Sequence, residues 1–158
     1  MNNNKCGMFL ECTNCNANPV CCSYFDKINP PCLNKEELEK IKKIIGKDDF
    51  YNTLDQNLFT LKTNADNCIF YNDNKCRIYD NRPTDCKLYP FDIMKIKQKY
   101  YLILYTLHCI NHEQFQNNNY NIDSLVNDII PWIEEFTDES NFTKMKEKEY
   151  KIIREIKL

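Results

Sequence analysis

The sequence has little glycine, little histidine and no long apolar run, and each shortage excludes a class of protein. Only Gly7 and Gly46 are glycines among the 158 residues, so no glycine-rich loop can hold a phosphate, which argues against the common nucleotide-driven enzymes. His108 and His112 are the two histidines, which gives little support to a histidine-based catalytic centre. No run of 18 apolar residues occurs, so we expect no membrane-spanning helix.

The chain also has little net charge, and we expect no signal peptide. The 21 Lys and Arg residues nearly balance the 23 Asp and Glu residues, for a net charge of −2, so a broad nucleic-acid-binding surface is not expected. Polar residues and cysteines interrupt the start of the chain before any stretch of signal-peptide length. We therefore expect a cytoplasmic protein with reduced thiols and no nucleic acid or membrane partner.

Cysteine is the residue present in excess, and it is unevenly distributed. Six of the ten cysteines lie within the first 32 residues, three lie between residues 68 and 86, and Cys109 is the last. The apolar fraction of 42 % includes these ten cysteines and ten tyrosines, which leaves a modest ordinary core. Bound metal is a candidate for additional stabilisation, because metal binding to thiolates contributes folding free energy directly.

The spacing of the cysteines favours a metal centre over the other uses of cysteine. Cys12 and Cys15 form a C-x₂-C pair, which brings two sulfurs to one zinc or iron–sulfur centre. The adjacent Cys21 and Cys22 cannot easily form a disulfide with each other, so one can bind metal while the other packs, or the two can serve different metals. A disulfide framework and buried, inert cysteines are the alternatives. Cys6 belongs to no tight pair, so it is expected to lie outside a ligand set, and so is Cys32.

Local patterns predict a small, irregular, cysteine-rich α+β domain with a few short strands and peripheral helices. We expect residues 1–112 to form the metal-binding domain and residues 113–158 a helical extension packed on it. No internal repeat is evident. A capping box of Asn34 and Glu37 predicts the start of a helix, and Gly46 predicts its end. Further along we predict a strand over 57–62, a tight reversal that joins 68–71 to 75–79, a turn at 81–83 that opens a short helix through Cys86, and a hairpin of 92–97 with 100–107. The last predicted elements are a helix from Ile122 that is kinked at Pro131 and a helix in the tail 137–158.

One long stretch resembles a known family. Cys68-Ile-Phe-Tyr, Cys76-Arg-Ile-Tyr and Arg82-Pro-Thr-Asp-Cys86-Lys-Leu-Tyr-Pro-Phe91 are similar to the signature of the YkgJ-type cysteine-cluster proteins, a zinc- or iron-chelating domain. The resemblance covers roughly residues 6–110. The chain departs from the opening motif of that family by having five residues, not two, between Cys15 and Cys21. The ligands that the resemblance implies are Cys12, Cys15, Cys21, Cys22, Cys68, Cys76, Cys86 and Cys109.

The resemblance implies a cysteine-ligated metal protein. We expect it to hold an iron–sulfur cluster, slightly ahead of Zn²⁺, and a redox-active centre would serve electron transfer or sensing with an unidentified protein or redox partner. Arg82 and Arg77 lie near the cysteines in sequence and are candidates to compensate the charge of the cofactor, although solvation at the surface is the alternative. Two other functions stay open. One is a protein-modifying enzyme similar to the flagellin lysine methylases, which carry this domain, and the other is a structural zinc module that binds a partner.

Overall fold

The chain forms two compact units, Met1–Lys87 and Leu88–Leu158. The computed structural model describes residues 30–65, 67–73, 75–106, 122–136 and 150–158. From residue 32 to residue 88 the elements are β1 (Cys32–Asn34), α1 (Lys35–Ile45), β2 (Tyr51–Thr53), β3 (Leu58–Leu61), β4 (Thr63–Asn64), β5 (Asn67–Cys68), β6 (Tyr71–Asn72), β7 (Lys75–Cys76), a 3₁₀ turn (Tyr79–Asn81) and α2 (Thr84–Leu88).

Both ends of helix α1 are defined by the residues that the sequence indicates. The Asn34 side chain accepts a hydrogen bond from the Glu37 N–H at 2.9 Å, and the Glu37 carboxylate accepts one from the Asn34 N–H at 3.1 Å, which completes a capping box. Gly46 ends the helix with a φ of 68°, a left-handed conformation that glycine adopts without steric cost. The predicted helix is therefore confirmed.

The core of the first unit lies between α1 and a three-stranded antiparallel sheet of order β1-β3-β2. The rings of Phe50 and Phe70 pack with their centroids 5.2 Å apart, and those of Tyr51 and Phe59 with theirs 5.6 Å apart. Ile44 of α1 lies outside this core and is 49 % exposed. The buried members of this core are Leu33, Leu38, Ile41, Phe50, Phe59, Leu61, Cys68, Phe70 and Ile78.

The second unit contains a helical segment and a three-stranded antiparallel sheet, whose strands lie in the order 150–156, 99–105 and 91–96. The segment bends where it was predicted to, because Pro131 lies in a 3₁₀ turn between two short helices. Three of its apolar residues, Val126, Ile129 and Ile133, are buried. The elements are β8 (Phe91–Ile96), β9 (Lys99–Tyr105), α3 (Asp123–Ile129), the 3₁₀ turn (Ile130–Trp132), α4 (Ile133–Phe136) and β10 (Tyr150–Ile156).

The end of the chain corrects one prediction. Residues Tyr150–Ile156, expected to be helical, form strand β10, which pairs antiparallel with β9 over Tyr150 to Ile156 with an irregularity between Ile152 and Arg154. Strand β9 pairs with β8 on one side, so its other side offers backbone partners to this segment, whose isoleucines suit a strand. The two compact units divide after Lys87. The boundary predicted after residue 112 lies outside the described residues.

The described residues confirm the predicted class, a small irregular α+β protein of short strands and short helices. None of the described helices is long and apolar enough to cross a bilayer. The predicted loop over 113–121 lies outside the described residues, and so does the first part of the predicted tail helix.

A carboxyl group in strand β8 links the stability of the second unit to pH. The Tyr105 hydroxyl donates a hydrogen bond to Asp92 Oδ2, and the Ile93 N–H donates one to Asp92 Oδ1 at 2.7 Å. Burial nevertheless raises the pKa of Asp92 to about 6 from an ordinary value of 3.8, against the opposite effect of these two hydrogen bonds. The folded chain therefore holds a proton on Asp92 at pH values where the unfolded chain has lost it.

We predict that Asp92→Asn removes part of the pH dependence of stability. Between about pH 6 and pH 4 the folded wild type binds more protons than the unfolded chain, so its free energy of unfolding rises as the pH falls. We compare the free energy of unfolding of the variant with that of wild type at two pH values. This difference should favour the variant by about 1–3 kcal/mol more at pH 7 than at pH 4.5. Urea unfolding at both pH values measures the difference, with the exposed Asp128→Asn as the control. An equal offset between wild type and Asp92→Asn at both pH values would contradict this prediction.

Candidate metal centre

Four cysteines lie in the described part of the first unit. Cys32 is in β1, Cys68 ends β5, Cys76 ends β7, and Cys86 is in the middle of α2. None of the four is joined in a disulfide. The other predicted ligands lie outside the described residues, and they are Cys12, Cys15, Cys21, Cys22 and Cys109.

Cys68 and Cys76 end two consecutive hairpins of the same construction. In the first hairpin Thr63 pairs with Cys68, and in the second Tyr71 pairs with Cys76. The first residue of each turn has a positive φ, 52° at Ala65 and 49° at Asp73. Each cysteine is thus the last residue of the returning strand in a hairpin with four residues between it and its pairing partner.

The two hairpins also match in the hydrogen bonds and buried residues that follow their strands, and each matching position is eight residues later in the second hairpin. The Ile69 N–H donates to the Lys62 carbonyl at 3.0 Å, and the Arg77 N–H donates to the Phe70 carbonyl at 2.9 Å. Phe70 and Ile78, each two residues after a cysteine, are both buried in the same core. The structure therefore contains a short tandem repeat, which corrects the expectation of none.

The sequence carries a weak trace of this repeat. Asn64 precedes Cys68 by four residues, as Asn72 precedes Cys76. Only Asn, Cys and a buried apolar residue recur, too few to be recognised without the backbone pairing. The predicted reversal between 68–71 and 75–79 is confirmed as the second hairpin.

The environment of Cys68 is that of a buried sulfur surrounded by donors. Burial raises the pKa of the Cys68 thiol to about 11, and the nearby Cys76 raises it further, while hydrogen bonds from the backbone N–H groups of Phe70 and Tyr71 lower it. Hydrogen bonds of this kind support a thiolate, and a bound cation replaces the water that burial removes. Cys68 is therefore a buried thiol that the two backbone N–H groups would stabilise as a thiolate if a bound cation offset its burial.

Cys86, the third predicted ligand among the described residues, lies on α2 after a short turn. The short 3₁₀ turn and Pro83 precede this helix, and the Lys87 N–H donates to the Pro83 carbonyl at 3.1 Å. Two carboxylates connect the start of α2 to the sheet and to α1. Glu37 Oε1 accepts from the Thr84 N–H at 2.7 Å, and Asp85 Oδ2 accepts from the Cys32 N–H at 2.7 Å.

The two arginines predicted to contact a cofactor differ in their surroundings. Arg77 is exposed. The Arg82 guanidinium lies over the Tyr79 ring, 4.0 Å from its centroid, and Arg82 Nε is buried without a hydrogen-bond partner among the described residues. A buried donor left unpaired costs about 1–3 kcal/mol, so Arg82 Nε is suited to an acceptor such as a thiolate.

The donor set fits a thiolate-bound metal, although the described residues do not complete a site. Soft sulfur ligands suit zinc and iron–sulfur clusters. Among residues 30–65, 67–73, 75–106, 122–136 and 150–158, no three His, Cys, Asp or Glu side chains form a group that could hold a metal ion. His108 and His112, which flank Cys109 in sequence, lie outside the described residues.

Comparison with known proteins identifies one family. A search of curated proteins found no match to this chain, and neither did a search of solved structures. A family model, CxxCxxCC, described as "Putative zinc- or iron-chelating domain", matches residues 11–121, which is well over half of the chain and includes all eight predicted ligands. The chain therefore belongs to the CxxCxxCC family, whose described role is the chelation of zinc or iron.

Proposed function

We propose that this chain is a metal protein whose cysteine thiolates hold an iron–sulfur cluster or zinc. The observation that carries the proposal is the tandem repeat, which puts Cys68 and Cys76 at equivalent ends of two hairpins. Cys86 adds a third thiol in the same unit. The family match supports the chemistry, because it names zinc and iron.

The full ligand set extends beyond the described residues. Eight thiolates suffice for two four-sulfur centres or for one cluster and a smaller site, and each four-thiolate centre with Zn²⁺ or a [4Fe–4S]²⁺ cluster carries a net charge of about −2. Backbone N–H groups and nearby cations offset such a charge. The eight are the three described ligands together with Cys12, Cys15, Cys21, Cys22 and Cys109.

Of the two cofactors we put the iron–sulfur cluster first, with an electron-transfer role toward a protein partner. Hydrogen bonds to sulfur and the exclusion of solvent set the reduction potential of such clusters. The buried Cys68, which receives hydrogen bonds from two backbone N–H groups, has both features. Zinc in the same ligands would instead serve the fold and the binding of a partner.

We predict bound iron and acid-labile sulfide in the full chain purified without oxygen. The measurements are metal analysis, sulfide analysis and the visible spectrum before and after reduction by dithionite. Stoichiometric zinc without colour would overturn the redox role and leave the metal role in place. Neither metal, with thiols oxidised in pairs, would overturn the proposed function and favour a disulfide framework.

We predict that Cys68→Ser and Cys76→Ser each lose metal to a similar extent, because the two sulfurs occupy equivalent positions. Cys86→Ser should lose metal as well. Each variant should also be less stable than wild type, since metal binding contributes folding free energy. Metal content per chain and the urea midpoint are the measurements.

The matched control for these variants is Cys32→Ala. Cys32 is buried in β1 but lies outside the ligand set that the family signature implies. Its truncation should lower stability by about 1 kcal/mol through lost packing while the metal content stays that of wild type. Full metal in Cys76→Ser, or loss of metal in Cys32→Ala, would show that the ligand assignment is wrong.

Arg82 is proposed to donate to a cofactor sulfur through Nε. The observations behind this role are the buried Nε, which has no hydrogen-bond partner in the described part of the chain, and the guanidinium stacked on Tyr79. Lysine keeps the positive charge but has no planar group to stack and no equivalent of Nε.

We predict that Arg82→Lys changes the visible spectrum or the reduction potential of the loaded protein without a change in metal stoichiometry. Arg77→Lys tests the second predicted arginine, and the exposure of Arg77 leads us to expect a smaller effect there. Identical spectra and potentials for wild type and Arg82→Lys would count against a contact between Arg82 and the cofactor.

A further inference from the structure

The helix that carries Cys86 is attached to the rest of the first unit by two reciprocal carboxylate contacts. Glu37, in the first turn of α1, accepts a hydrogen bond from the Thr84 N–H of α2 at 2.7 Å. Asp85, in α2, accepts one from the Cys32 N–H of β1 at 2.7 Å. Each segment thus supplies one carboxylate and one backbone N–H, and the two contacts span 47 and 53 residues of sequence.

Helix α2 depends on contacts of this kind. It is five residues long, and isolated helices shorter than roughly 12–15 residues are marginal in water. The first N–H groups of any helix lack partners within the helix, and Thr84 is the first residue of α2. Glu37 supplies that partner from another element, so it holds the start of the turn that contains Cys86.

Glu37 is well placed for this role because its carboxylate is itself held. Oε2 accepts from the Asn34 N–H at 3.1 Å, which leaves Oε1 directed to Thr84. The helix behind it is anchored in the core through Leu38 and Ile41, both buried. A charged acceptor makes a shorter and stronger hydrogen bond than a neutral one, so Glu37 holds the Thr84 N–H strongly.

We propose that Glu37 is a positioning residue of the metal centre, which sets the place of the Cys86 thiolate through the Thr84 N–H without touching the metal. This role rests on the proposed function, since it concerns Cys86 as a ligand. The physical basis is general: groups that orient metal ligands, when removed, typically weaken metal binding about ten- to a hundredfold.

The sharpest test removes the donor and leaves the acceptor. Thr84→Pro deletes the N–H that reaches Glu37, and proline is tolerated at the first position of a helix. Thr84→Ala is the matched control, because it removes the side chain and keeps the N–H. We expect Thr84→Pro to bind Zn²⁺ about tenfold or more weakly than wild type, and Thr84→Ala to bind within about threefold of it.

A second series changes the acceptor. Glu37→Gln keeps one carbonyl oxygen, so it cannot serve both Asn34 and Thr84, and it should weaken Zn²⁺ binding less than Glu37→Ala. Asn34→Gly removes the other half of the capping box and leaves the Thr84 contact, so it separates simple helix capping from positioning. The double variant Glu37→Ala with Thr84→Pro should lose no more Zn²⁺ affinity than the more affected single variant. The reason is that both changes remove the same hydrogen bond, from the Thr84 N–H to Glu37.

The readouts are competition with a chelator for Zn²⁺ and the visible spectrum of the Co²⁺-substituted chain, whose charge-transfer intensity grows with the number of bound thiolates. A purely structural role would lower the urea midpoint and leave the Co²⁺ spectrum of the loaded protein unchanged. Positioning of Cys86 predicts a weaker charge-transfer band in Thr84→Pro and in Glu37→Ala, and an unchanged band in Thr84→Ala and in Asn34→Gly.

Two different failures are distinguishable. A wild type that takes up neither Zn²⁺ nor Co²⁺ and carries no iron would overturn the proposed function and this role together. A wild type that binds metal, with the same affinity and spectrum in Thr84→Pro as in Thr84→Ala, would overturn the positioning role alone. Should Glu37→Ala prove unfolded by circular dichroism, the Thr84 pair decides the question by itself.

Discussion

The contact between Phe70 and Phe50 is the interaction on which the first unit depends. Phe70 follows the first cysteine hairpin, and Phe50 precedes strand β2 of the sheet, so their packing joins the hairpins to the main core. A hairpin whose strands are two residues long has no independent stability in water. Ile78, at the equivalent place after the second hairpin, is buried in the same core. The two cysteine hairpins are therefore held in place by the apolar contacts of Phe70 and Ile78 with the core.

This construction separates support from chemistry. Apolar side chains two residues beyond each cysteine enter the core, where Cys68 is itself buried and the partly buried Cys76 packs against it. Burial disfavours a thiolate at Cys68, and backbone N–H groups favour it. A bound cation would resolve this opposition, which is why metal binding and the stability of the first unit are expected to be linked.

The short helix α2 shows how a local motif acquires its position from distant residues. Its sequence, with Pro83 before Thr84, is enough to begin a helical turn. Its place in the unit comes from Glu37 and Asp85, whose partners lie about 50 residues away. The capping box of α1 was readable from Asn34 and Glu37 alone, but the second oxygen of Glu37 has a long-range partner that no local pattern indicates.

The sequence by itself determined the features that arise from local chemistry. These include the capped helix α1, the strand Leu58–Leu61, the hairpin of β8 and β9, the kinked helical segment and the membership of a cysteine-cluster family. Tertiary structure alone decided the tandem repeat, the strand Tyr150–Ile156 and the attachment of α2. The isoleucines of segment 150–156 suit a strand, but the segment forms one where the edge of β9 supplies its backbone partners. Local patterns specify which elements can form, but hydrogen bonds and packing between distant residues decide where each element lies, because those free energies exist only once the chain is folded.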